Sequence, residues 1–271
     1  MKLLALGDVV GAYGTRETAA LLPRLRRETG ADFVVVNAEN AAPGNGTDPA
    51  SAELLLASGA DVLTGGNHTL RRYDFFDMLN EHDCVLRPLN YPPAAPGKGF
   101  TILRGPEGLR ILVLSLCGQV FMGPADNPFT AAERLLAEQH GRYDVAVADL
   151  HAEATSEKLA FAHRFDGEIQ IMFGTHTHVQ TADEQLLDKG SGYITDLGMC
   201  GDAGGVLGVK SECVVSDFTT KVHMRFEGSE GNFAACGALF TLDTRTRFVT
   251  DVKRIRTCKN GTVMVDRKSV V

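Results

Sequence analysis

Three short, mostly apolar runs that end abruptly on polar residues constrain the fold of this chain more than any other feature of its sequence. Leu3 to Leu6 stops at Gly7-Asp8-Val9-Val10-Gly11, Phe33 to Val36 at Asn37-Ala38-Glu39-Asn40, and Asp61 to Thr64 at Gly65-Gly66-Asn67-His68. Apolar runs without alternation read as strands buried on both faces. Between the first two lies a Leu- and Arg-rich stretch, about Thr15 to Glu28, read as a helix kinked by Pro23. Between the second and third, Asp48-Pro49 reads as the N-cap and first-turn proline of a helix reaching about Ser58. This βαβαβ series predicts an α/β fold whose sheet is mostly parallel, with helices on its faces. Ligands bind outside the carboxyl ends of such strands, which is where Asp8, Glu39, Asn67 and His68 fall.

The middle of the chain changes character. Phe100 to Leu103 and Leu109 to Leu116 flank Gly105-Pro106-Glu107-Gly108 and predict an antiparallel hairpin. Gly118 to Phe129 has no periodicity and reads as a loop, a candidate lid. A helix from about Thr130 to Gln139 precedes a strand, Tyr143 to Ala148, that runs into Asp149-Leu150-His151. Thr155 or Ser156 is expected to cap the next helix, and Ile169 to Phe173 to form a strand ending at Gly174-Thr175-His176-Thr177-His178. From Tyr193 onward the expectation is mainly antiparallel strands, closing with Phe248 to Arg256. Without repeats, low-complexity tracts or a linker, residues 1–271 read as a single domain.

Composition excludes several classes. The 44% apolar and 23% charged fractions are those of a globular protein. No apolar run approaches the ~20 residues that span a bilayer. The first residues are too short for a signal-peptide core and read as the opening strand of a cytoplasmic protein. The cysteines at 84, 117, 200, 213, 236 and 258 show no CxxC spacing, so reduced structural thiols are expected. A net charge of −7 argues against an extended nucleic-acid surface. It leaves a small anionic substrate open, because bound metal ions reverse the local charge.

Of the eight histidines, His82, His140, His163 and His223 lie among charged or polar residues and read as solvated surface side chains. The other four follow predicted strands. His176 and His178 alternate with threonines, which points both imidazoles the same way from an extended segment. An isolated HxH is a weak signal. Counted with Asp8, Glu39, Asn40, Asn67 and His151 it gives seven oxygen or nitrogen donors on five strand ends, with no cysteine. Such a donor set suits Mn, Fe or Zn. Seven ligands exceed the needs of one ion, whereas two ions ~3.5–4 Å apart sharing a carboxylate use them.

The ordered series Gly7-Asp8-Val9-Val10, Ala38-Glu39-Asn40, Gly66-Asn67-His68, His151 and Gly174-Thr175-His176-Thr177-His178 resembles the calcineurin-like metallophosphoesterases. Their pattern has a histidine where Val10 stands and a bridging aspartate where Glu39 stands. Both departures resemble the bacterial YmdB-like branch, which is also marked by Val36 to Asn40, Arg87 to Pro92, His151 to Lys158 and Thr175 to Glu184. The resemblance covers nearly the whole chain. It implies a four-layer α-β-β-α sandwich with mixed sheets and a phosphodiesterase acting on cyclic nucleotides, 2′,3′-cyclic ones favoured and 3′,5′-cAMP also admitted. Asp8, Glu39, Asn40 and His178 are implied as ligands of a first metal, and Glu39, Asn67, His151 and His176 of a second. With Asn40 in place of a histidine, Fe or Mn is favoured over Zn. A water shared by the two ions would be the nucleophile, and His68 the general acid for the departing ribose oxygen. The resemblance also suggests a homo-oligomer. Thr69-Leu70-Arg71 departs from the family's usual continuation, which bears on substrate fit around His68.

Some readings stay open in the sequence. His68 is either the acid or a residue that orients its neighbours. Asp149 either holds His151 in one tautomer or is a plain strand-end carboxylate. Arg87 and Asn90 either touch substrate or build a turn between prolines. Glu153 and Glu157 are expected to favour the start of a helix. A broader phosphomonoesterase or nucleotidase, or a metal-bound regulatory protein with little turnover, are the competing functions.

Overall fold

The computed structural model describes residues 1–258 and 261–265, with side chains through residue 257. In chain order the elements are β1 (Lys2–Leu6), β2 (Asp8–Val9), α1 (Gly11–Thr29), β3 (Phe33–Asn37), α2 (Pro49–Ala57), β4 (Val62–Thr64) and α3 (Phe76–Glu81). The hairpin β5 (Phe100–Arg104) and β6 (Arg110–Cys117) follows, then α4 (Pro128–Glu138), β7 (Val145–His151), α5 (Thr155–Arg164) and β8 (Ile171–Thr175). The last stretch holds β9 (Gln185–Leu186), β10 (Gly192–Ile194), β11 (Met199–Asp202), α6 (Ser211–Thr220), β12 (Phe233–Leu242), β13 (Val249–Cys258) and β14 (Gly261–Val265).

Two mixed sheets result. The first runs β14-β13-β12-β1-β3-β4, with β11 joining β12 and β2, and the second runs β5-β6-β7-β8-β10-β9. The predicted βαβαβ unit is present as parallel pairs of β1 with β3 and β3 with β4. In the second sheet β6, β7, β8 and β10 are parallel, and the hairpin pair β5–β6 is antiparallel.

Strand periodicity sorts the apolar side chains into three separate cores. Leu3 and Ala5 of β1 meet Val113, Val147 and Phe173 of the other sheet, while Leu4 and Leu6 face the opposite way onto Leu22 and Leu25 of α1. In β6, Ile111 and Val113 face the inter-sheet core, whereas Leu112 and Leu114 pack against Leu135 of α4 and Phe161 of α5. Both faces of each central strand are therefore buried, which is why their sequences are apolar without alternation. Helices, sheet, sheet and helices form the four layers of an α-β-β-α sandwich.

Local signals hold in most places. The Asp48 side chain accepts the Ser51 N–H at 2.8 Å, with Pro49 in the first turn of α2. Gly30 ends α1 at φ 66°, a left-handed conformation cheap only for glycine. Three expectations change. Helix α1 starts at Gly11 and continues through Pro23. Neither Thr155 nor Ser156 caps α5, because the N-cap position is Ala154, without a side-chain cap. The C-terminal third also contains α6 and the parallel pairs β8–β10 and β2–β11, so it is less uniformly antiparallel than its sequence suggests. His82, His140, His163 and His223 are not buried. Cys84, Cys117, Cys200, Cys213 and Cys236 are free thiols, and the Cys258 side chain lies outside the described residues. Among the described residues no helix is long and apolar enough to cross a membrane.

Candidate metal centre

The parallel strands of both sheets end at one edge, and the predicted donors meet there. The first sheet brings Asp8 after β1, Glu39 and Asn40 after β3, and Asn67 and His68 after β4. The second brings His151 at the end of β7, and His176 and His178 just beyond β8.

Glu39, 1% exposed, is the hub. Its Oε1 lies 3.0 Å from His68 Nδ1, 3.3 Å from His151 Nε2 and 2.7 Å from Asn40 Nδ2. Its Oε2 accepts the His68 backbone N–H at 2.9 Å. Asn67 Oδ1 and His176 Nδ1 approach His151 Nε2 to 3.0 and 3.1 Å. Glu39, His151 and His176 can hold one ion between them.

The surrounding hydrogen bonds decide which ring nitrogens are free. Asp149, fully buried, accepts Asn37 Nδ2 at 2.9 Å, the Thr64 hydroxyl at 2.5 Å and the Thr175 hydroxyl at 2.7 Å. With its proton committed to Asp149, Thr175 Oγ1 can only accept from His151 Nδ1, 2.9 Å away. That leaves His151 Nε2 as the donor atom toward a metal. Asp149 thus fixes the His151 tautomer through Thr175, a relay of the kind that orients metal-ligating imidazoles. On His176 the roles are reversed: Nε2 faces Glu153 Oε2 at 3.2 Å and leaves Nδ1 turned to the centre. Two imidazole lone pairs, an amide oxygen and a carboxylate crowded together repel one another unless a cation or protons lie between them.

Asp8 Oδ2 accepts the His176 backbone N–H at 3.0 Å, and its Oδ1 lies 3.7 Å from His151 Nδ1. Asp8 Oδ1 lies 3.7 Å from His178 Nε2. Asp8 Oδ1 and His178 Nδ1 are buried without a hydrogen-bond partner among the described residues. An orphaned buried carboxylate oxygen such as Asp8 Oδ1 is costly, and a cation satisfies it. Asn40 departs from its expected orientation: its Nδ2 faces Glu39 and, at 3.4 Å, His178, while Oδ1 contacts His68 Nδ1 at 3.0 Å. An amide nitrogen does not ligate, so Asn40 serves a metal only after a half-turn of the amide, which exchanges the two atoms.

The histidine-bearing segment after β8 is held under strain. His176 and His178 have φ of 100° and 64°, in the left-handed region. Thr177 between them is anchored by Asp196, whose Oδ2 accepts the Thr177 hydroxyl at 2.8 Å and backbone N–H at 3.2 Å. Asp196 Oδ1 accepts the Gly198 N–H, and Lys158 Nζ donates to Oδ2 from α5.

Electrostatics match a site built for cations. Burial raises the Asp8 carboxyl, partly offset by His178 and His151. Burial also acts against the Glu39 carboxylate, but His151 and His68 outweigh it and hold Glu39 well below the usual range. Burial lowers His151, yet Glu39 and Asp8 carry it up to about 9. Burial and the neighbouring His151 push His176 down to about 3. Without metal, then, a proton on His151 occupies the space between the acceptors, and a bound cation takes its place.

The remaining open residues resolve by contact. Arg87 Nη1 donates to Pro88 O, and Asn90 ties Cys117 O to Asp126 O, so both build the turn and anchor the loop 118–127. Glu153 and Glu157 do more than start a helix: Glu153 faces His176, and Glu157 accepts the backbone N–H groups of Gln119 and Val120. The contribution of Lys158 was missed by sequence reasoning. A lysine on the same stripe as Phe161 and Ala162 was the available signal for a buried charge partner.

Known proteins resemble this chain over nearly its whole length. A 2′,3′-cyclic-nucleotide 2′-phosphodiesterase of Bacillus subtilis (strain 168) is 40% identical over 255 residues, 94% of this chain and 96% of that protein. A crystal structure of a hypothetical protein from Thermus thermophilus superposes with a TM-score of 0.89 at 36% identity, covering 95% of this chain and 99% of the other. A structure described as a novel phosphatase from Mycoplasma pneumoniae gives a TM-score of 0.89 at 34% identity, covering 99% and 95%. The sequence pattern described as YmdB-like protein matches residues 4–255. This chain belongs to the YmdB-like protein family.

Proposed function

We propose that the chain is a two-metal phosphodiesterase that hydrolyses cyclic nucleotides, 2′,3′-cyclic nucleotides ahead of 3′,5′-cAMP. The observation that carries this reading is the central position of Glu39. One buried carboxylate contacts both His151, which Asn67 and His176 approach, and Asn40, which lies 3.4 Å from His178. The B. subtilis relative's activity supports the substrate class.

Asp8, Glu39, Asn40 (amide reversed) and His178 would hold one ion, and Glu39, Asn67, His151 and His176 the other. The donor set, rich in oxygen and free of thiolate, suits iron or manganese ahead of zinc. When bound, the ions supply an activated water and neutralise charge on the phosphate. His68 is 19% exposed, and its Nδ1 lies 3.0 Å from Glu39 Oε1. It is the proton donor to the departing ribose oxygen, and its backbone N–H separately steadies Glu39 Oε2. Asp149 through Thr175, and Glu153 directly, hold the two imidazoles of the second site in their donating tautomers.

The reading is tested by loading the protein with Mn²⁺ or Fe²⁺ and assaying 2′,3′-cAMP, 3′,5′-cAMP, a generic diester and a phosphomonoester. Turnover of 2′,3′-cAMP ahead of the rest is expected. Turnover confined to the monoester favours a phosphatase, and none at all defeats the enzymatic reading.

A further inference from the structure

A cavity of about 390 Å³ opens beside the metal centre, and nothing in the chemistry above uses it. Asn40 belongs to both: its side chain contacts Glu39 and His68 and also lines the cavity. The opposite walls are apolar or small. Val10 and Tyr13 come from the start of α1, Pro43 from the loop after β3, and Phe226 and Gly228 from the segment after α6.

The lining specifies its occupant. Because Asn40 borders both, a group held in the cavity can belong to the same molecule as a phosphate at the metal centre. Among the lining residues only Glu230 is charged; it lies 3.6 Å from Arg16, and its negative charge disfavours a second phosphate. Tyr13 is half-buried, and Phe226 is 50% exposed despite its size. Two aromatic rings bordering one cavity suit a flat, neutral ring that stacks. Asn45 and Ser229 add side-chain donors and acceptors at the border, which suit the edge of such a ring. The volume lies within the range of small-molecule sites.

We infer that this cavity is the base subsite: it takes the purine or pyrimidine of the nucleotide, with Phe226 and Tyr13 as the residues that favour nucleotide esters over simpler ones. The inference rests on the phosphodiesterase reading for its substrate. The segment carrying Phe226 thereby becomes part of the substrate site, although it is remote in sequence from every metal donor.

The test compares 2′,3′-cAMP with methyl riboside 2,3-cyclic phosphate, which keeps the ring and phosphate but lacks the base. The unaltered, metal-loaded protein should prefer the nucleotide in kcat/KM by about tenfold or more, the scale of one stacked base. In Phe226→Ala and Tyr13→Ala that preference should fall about tenfold, with Phe226→Trp restoring it. A ratio cancels any loss of folded or metal-loaded protein. An unchanged ratio in both alanine variants overturns the base subsite while leaving the phosphodiesterase standing. If neither ester is turned over, calorimetric titration with adenosine decides: binding that Phe226→Ala abolishes supports the subsite, and absence of binding overturns it.

Discussion

Lys158 Nζ lies 2.8 Å from Asp196 Oδ2, and each side chain is only 1% exposed. A buried pair of this kind is expensive to assemble and more expensive to break, because removing one partner strands the other charge. Here the same Asp196 oxygen also holds Thr177, so the pair clamps the strained segment between His176 and His178. Lys158→Met should cost about 3–5 kcal/mol of stability, read by denaturant unfolding. It should also lower metal content at limiting metal more than an equally destabilising core variant such as Leu135→Ala. Equal metal content in the two would leave the pair with a purely structural role.

The relay from Asp149 makes a more selective prediction. Thr175→Val keeps the side-chain shape but removes the hydroxyl that ties His151 Nδ1 to Asp149. Metal affinity at the site holding His151 should drop about 10–100-fold, the usual cost of losing an orienting partner. Competition with a chromophoric chelator reads this directly, and an affinity within about twofold of the unaltered protein would discount the relay.

A pH dependence follows from His151. Its pKa in the metal-free protein is raised to about 9, against an ordinary value of 6.5. A histidine with a raised folded pKa stabilises fully below the ordinary value of 6.5 and loses that contribution as pH climbs through about 9. The metal-free protein should therefore lose stability between pH 6.5 and 9, by a few kcal/mol at most at ~1.4 kcal/mol per pKa unit. Metal binding displaces the same proton, so metal affinity should rise over that window. Thermal melts with and without chelator, taken across the window, should show opposite trends.

How much of this was legible in the sequence depends on what kind of contact each residue makes. Asp8, Glu39, Asn67, His151, His176 and His178 all follow short buried strands, and parallel topology brings strand ends together, so their meeting could be read from order alone. Asp48 could be read because an N-cap is local. What could not be read is long-range and polar. Glu153 meets His176, Glu157 meets the loop at Gln119, and Asp149 gathers Asn37, Thr64 and Thr175 from three strands. No periodicity announces such contacts. Helix α6 escaped for the opposite reason: it buries no residue, so its apolar side chains form no core-facing stripe.

His68 separates chemistry from metal binding. His68→Ala should retain the full metal complement while kcat for 2′,3′-cAMP falls about 10²-fold or more. Near-full activity would remove the proton-donor role and leave His68 as the residue that steadies Glu39.

The central claim, a pair of metal ions sharing Glu39, is tested most directly by elemental analysis of the metal-loaded protein beside Glu39→Gln, with 2′,3′-cAMP turnover measured on the same samples. The account predicts close to two ions per chain and turnover in the unaltered protein. It predicts that both are lost together in the variant, because a neutral amide cannot serve two cations. A Glu39→Gln protein that keeps two ions per chain and hydrolyses the ester at an undiminished rate would contradict it.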